Sequence, residues 1–172
     1  MNLFHGLPTH VLLVHVVVVL IPLTALALVT AALWPRAARQ LGPLLPLLAL
    51  AALGSVPLTT HAGEWLERHV DDDALVRRHT ELGDGLLPWA VALFVAAAVV
   101  WWVGRLASAE RAEGSRPRWS ALPVRIVIGV LSLAVAVGAV VDVYRIGDSG
   151  AKAAWHDAYS KTETGDHDED GS

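Results

Sequence analysis

The chain has no cysteine. That absence removes a disulfide framework, a thiolate zinc or iron–sulfur site and cysteine-based catalysis together. It also lacks an excess of positive charge: 13 Lys and Arg against 17 Asp and Glu leave a net −4, with a pI near 6.0. That balance argues against a nucleic-acid binder. No glycine-rich phosphate loop, HExxH, GxSxG or Walker sequence occurs, so the chemistries those motifs carry have no anchor. The long apolar runs hold no Asp or Glu in their middle thirds, which leaves a midplane proton or cation pathway without a relay. No internal repeat is visible either, and pumps and secondary carriers fall away with it.

What is present is apolar length. The composition is 54% hydrophobic with mean hydropathy +0.48, too greasy for an ordinary soluble domain. Four runs stand out, at about residues 11–33, 41–60, 86–103 and 126–143. Each is about as long as a helix needs to cross roughly 30 Å of hydrocarbon at about 1.5 Å per residue. Only helices or closed barrels satisfy their backbone in lipid, and runs of this length are helical. The expected fold is all-α: an integral membrane four-helix bundle over residues 1–150, in direct contact with the lipid bilayer. A polar acidic tail follows over 151–172, whose DHDED run after Gly165 reads as disordered. Pro22 and Pro57 fall inside runs, where each should kink its helix and free a carbonyl one turn earlier. The first run follows MNLFHGLPTH, which has no Lys or Arg, and it is longer than a signal-peptide core, so it reads as a retained span.

Orientation follows from the arginines. Arg36, Arg39, Arg105, Arg111, Arg116, Arg118 and Arg125 crowd the two short loops, whereas Arg68, Arg77, Arg78, Arg145, Lys152 and Lys161 are spread over the longer opposite side. The positive-inside rule places the dense side in the cytoplasm and both termini outside it. The inner loops then net +5 and the outer segments −9. Trp34, Trp101, Trp102 and Trp119 gather at the inner boundary, and Trp65, Trp89 and Tyr144 at the outer one, as amphipathic rings do at headgroup depth. Ala92 with Ala96, and Ala134 with Gly138, are small pairs at helical spacing that would let backbones approach.

All 8 histidines fall on the outer side: His5, His10, His15, His61, His69, His79, His156 and His167. His15 lies about one and a half turns into the first run, a depth at which an ionisable side chain usually faces the bundle interior and a partner. One reading is a neutral imidazole bonded to a carbonyl. The other is a ligand to haem b or a transition metal, both of which imidazole suits. His10 is about 140° around the helix from His15 at about 100° per residue, so a second helix would have to complete any shared site. His61 and Glu64 share a face at i, i+3 and could hold one ion or each other. His10, His15, His61 and His79 are the candidate cofactor ligands, with Glu64 added for a metal. Asp142 and Arg145, also i, i+3, read as an ion pair at the outer end of the fourth run. The same histidines would suit a pH sensor.

The segment Thr9-His10-Val11-Leu12-Leu13-Val14-His15 resembles the His-Pro-Leu-Leu-Val-His opening of a bacterial four-helix membrane family catalogued as domain of unknown function 2231. Gly63-Glu64 followed by His79 resembles the Gly-Glu…His signature of one branch. Gly138…Val143-Tyr144-Arg145…Gly147 is similar to the family's closing Gly-Gly-x-Leu-Val-Tyr-x-x-Gly. Val11 and Val17 stand where the family usually has proline, and Ala139 replaces the second glycine. The resemblance covers about residues 5–150 and implies the four-helix fold in a bacterial plasma membrane. Because some members are fused to Rieske-type iron–sulfur domains, it also tilts the expectation toward redox work with a separate partner. Two functions follow: a membrane protein that binds haem b or a metal ion for electron transfer, or a cofactor-free structural or interaction subunit joined to another membrane protein or to a second copy.

Overall fold

Residues 3–4, 7–67, 74–114 and 121–165 are described by a computed structural model, with side chains placed for 13–61, 63, 81–114 and 121–152. A short antiparallel ladder pairs β1 (Leu3–Phe4) with β2 (Leu7–Pro8). Five helices follow: α1 (Thr9–Leu33), α2 (Pro35–Leu41), α3 (Leu44–Glu67), α4 (Ala74–Ala112) and α5 (Leu122–Gly165). Four of them contain segments long and apolar enough to cross a membrane, at Leu13–Leu33, Leu44–His61, Glu81–Ala112 and Leu122–Lys152. These cover the four runs expected from the sequence, and a chain that carries four such helices is built as a multi-pass membrane protein.

The boundaries have local causes. Trp34 is extended (φ −114°, ψ 106°) because the following Pro35 disfavours helical backbone before it, and Pro35 then opens α2. Gly42 (φ 49°) stops α2 with a conformation that residues with a Cβ rarely adopt, and its N–H bonds the Ala38 carbonyl at 3.0 Å. For that reason the second apolar helix begins at Leu44 rather than near residue 41. Gly114 (φ 76°) closes α4 in the same way, its N–H on the Arg111 carbonyl at 3.1 Å. Pro22, Pro57 and Pro88 lie within α1, α3 and α4. Each removes one backbone donor from its helix.

α1 and α4 each pack against both α3 and α5, with a lighter contact across the α1–α4 diagonal, so the four long helices close a ring. α2 lies across one end, touching α1 and α4. The inward sides mix small residues with single large ones, and on α5 they are mostly small. On α4 the inward row is Leu86, Ala90, Leu93, Ala97 and Val100, and on α5 it is Gly129, Ser132, Ala136, Ala139 and Val143. Both rows step by three and four residues, the alternation of bundles crossed at about 20°. Ala49, Ala52, Ser55 and Val56 do the same on α3, and Ile21, Thr24, Ala25, Leu28 and Ala31 on α1. Many large apolar side chains also face outward: Val19, Leu26, Leu47, Leu50, Leu58, Val95, Val130, Leu131 and Val137 are exposed. An outer wall this apolar would aggregate in water. In lipid it is ordinary, because small residues let helix backbones close where hydrophobicity gives no drive.

The expected small pairs are shifted against this pattern. Ala92 and Ala96 are half-buried beside the inward row, and Ala134 is exposed. Gly138 does serve close approach: the six-membered ring of Trp89 occupies the place where a Cβ on residue 138 would sit. Trp89 is accordingly half-buried against the core rather than turned out to the headgroups.

α4 and α5 outrun their apolar segments. At 39 and 44 residues they measure about 58 and 66 Å at about 1.5 Å per residue. The polar stretch that begins near residue 151 is helical as far as Gly165. Residues 166–172, with the DHDED run, lie outside the described residues.

Candidate functional site

Because the ring is antiparallel, the start of α1, the end of α3, the start of α4 and the far half of α5 share one end. His10 and His15 on α1, His61 and Glu64 on α3, and His79 on α4 are therefore at the same end of the bundle. His15 is exposed, standing beside the inward row that begins at Val17 instead of in it, so it does not face the interior as its depth led us to expect. His61 is exposed as well. The side chains of His10, Glu64, His79 and His156 lie outside the described residues, as do His5, His69 and His167 altogether. Among the described residues no three His, Asp or Glu side chains gather closely enough to hold a metal ion.

Asp142 sits at the α4–α5 seam. Its Oδ2 is buried without a hydrogen-bond partner among the described residues, and a Cβ on Gly85 would lie 3.9 Å from that oxygen. One helical turn nearer the centre, Trp89 lies over Gly138. The seam thus repeats a single device: a glycine on one helix faces a large or polar side chain on the other, with the order reversed at the next turn. Arg145, one turn beyond Asp142, is exposed. The ion pair that is formed on this part of α5 joins Lys152 Nζ to Asp148 Oδ2 at 2.7 Å, both on the surface. Their i, i+4 spacing was legible in the sequence.

The opposite end holds a basic groove. An open concavity of about 780 Å³ runs between the end of α1, α2, α4 and the start of α5. Its floor is apolar, from Ala31, Ala32, Val100, Val103 and Ile128, and four arginines line it: Arg39, Arg105, Arg111 and Arg125. Among the described residues no carboxylate lines it. Arg125 Nη2 donates to the Leu33 carbonyl at 3.4 Å, placing a cation at the C-terminal end of α1, where helix carbonyls lack partners. The Arg105 guanidinium lies 5.4 Å from the Trp101 ring centre, and Trp101 meets Trp102 edge-on at 6.1 Å. Sequence reasoning counted these arginines for orientation and missed their convergence. The available signal was arginines at the ends of three apolar runs, with Arg105 just after the Trp101-Trp102 pair.

The chain matches no protein-family model, and no curated protein or solved structure is similar to it.

Proposed function

We propose that the chain is a cofactor-free structural or interaction subunit of a bacterial plasma membrane, with both termini extracytoplasmic, and a member of the four-helix family its motifs resemble. The distribution of bulk supports this reading. Ile21, Leu28, Leu45, Ala49, Leu93, Ala97 and Ala139 fill the centre at 2% exposure or less. With the centre filled by the chain's own side chains, what the bundle offers to other molecules is its outer wall and its two ends. Cross-linking in intact membranes tests this: a discrete adduct with a membrane protein or a second copy is expected, and monomer alone would overturn the reading.

A second reading, haem b or a transition metal for electron transfer, is favoured by the convergence of His10, His15, His61, His79 and Glu64 on one end. Bound there, haem would carry single electrons. His15 and His61 are exposed at that end, and the side chains of His10, Glu64 and His79 lie outside the described residues. An absorption spectrum of the detergent-purified protein, before and after dithionite, separates the two. A flat Soret region from protein made with ample haem, with no stoichiometric metal on elemental analysis, is the expected result. A Soret band that moves on reduction would install the second reading in place of the first.

A further inference from the structure

We propose that the groove at the basic end binds the phosphodiester headgroup of an anionic membrane phospholipid. Arg39 comes from α2, Arg105 and Arg111 from α4, and Arg125 from α5, so the cations are brought together by the fold and not by a run in the sequence. Among the described residues none of the four is paired with a carboxylate. A guanidinium fork matches phosphate oxygens two at a time, which makes arginine the preferred residue for such an anion. The floor beneath is apolar, and the exposed Trp34 and Trp102 are chain neighbours of its lining residues Pro35 and Trp101. Those are the two halves of an amphiphile's requirement: cations for the phosphate, and hydrocarbon surface for the first carbons of its chains. The volume of about 780 Å³ falls within the range of small-molecule sites. Basic pockets between membrane helices take anionic headgroups on the cytoplasmic side, the side to which the arginine density assigns this end. A free phosphate would use the same guanidiniums and leave the apolar floor unused, so the lipid is the occupant the site fits.

The proposal rests on the membrane-embedded reading above, not on the absence of a cofactor. The test uses the full chain reconstituted in phosphatidylcholine with a minor fraction of brominated lipid, reading tryptophan quenching. Brominated phosphatidylglycerol should quench more strongly than brominated phosphatidylcholine at equal fraction. The double variant R39Q/R111Q should lose about 25-fold in apparent affinity, roughly fivefold per arginine. The control R36Q/R145Q removes the same charge outside the groove and should keep the preference. Equal quenching by the two lipids in the unaltered protein, which needs no variant to fold, would overturn the proposal. So would an equal loss in the control, which would reduce the effect to net charge. Displacement of the brominated lipid by millimolar inorganic phosphate or glycerol phosphate would overturn the lipid assignment in favour of a free anion. A cross-linked partner without lipid preference would sink the groove alone; lipid preference with a haem spectrum would sink only the cofactor-free reading.

Discussion

At position 138 a hydrogen atom in place of a methyl group decides how close α4 and α5 can come. Because the Trp89 ring fills that space, Gly138→Ala should destabilise the bundle by about 1–3 kcal/mol, the usual cost of overpacking. Thermal unfolding in detergent would measure it. Pairing the change with Trp89→Leu should recover part of the loss, and strict additivity of the two would show that they do not touch. Asp142 poses the opposite problem. One of its oxygens is buried without a donor among the described residues, although the side chain as a whole is half-exposed and Arg145 supplies a nearby positive charge; a buried polar atom without a partner is costly. Asp142→Asn should therefore raise the unfolding midpoint; a fall would mean that attraction to Arg145, or to a partner outside the described residues, outweighs that cost. Gly138 was legible as a small residue in the sequence, but its particular neighbour was not. The expected small-residue spacing repeats on several faces of an alanine-rich helix, and only the register of α4 against α5 selects one of them.

For the helices, apolar length alone was enough to reveal four spans, because hydrocarbon thickness fixes how long such a run must be. The inward faces were not legible. A helix that is apolar all round carries no polar stripe to mark its outside, and residues of the same size, such as Leu26 and Leu28, fall on opposite sides. Ala97→Leu should therefore cost about 1–3 kcal/mol, while Val99→Leu, two residues away on the exposed side, should leave the unfolding midpoint within error. The seven-residue α2 falls in what reads from the sequence as the short loop between the first two apolar runs, since it carries no apolar run of its own. Gly42→Ala would force a residue with a Cβ into φ 49°, and a loss of about 1–3 kcal/mol is expected in the same unfolding assay. The polar ends of α4 and α5 lay beyond the apolar runs, so run length could not show how far those helices continue.

Among the described residues the molecule is polarised along the bundle axis, with His10, His15, His61, His79 and Glu64 toward one end and the arginine groove at the other. The one-sidedness of the histidines was visible in the sequence, whereas the groove was not, since its arginines are scattered over α2, α4 and α5. The absence of native cysteine makes the orientation directly testable. With Lys152→Cys at the histidine end and Glu113→Cys at the arginine end, both exposed positions, a membrane-impermeant maleimide applied to whole cells should label the first and spare the second. The reverse pattern would invert the assignment of both termini.

The uninterrupted 44-residue α5 also has a mechanical meaning. Its last turns, beyond Lys152, carry the chain roughly 20 Å past the end of the apolar segment at about 1.5 Å per residue. An unbroken helix has no slack, so those turns move with the bundle as one lever. A change in tilt of about 10°, well within what membrane helices sample, would sweep the tip of a lever about 66 Å long through roughly 11 Å. Adjustment of the bundle to bilayer thickness would thus be read out, amplified, in the water above it.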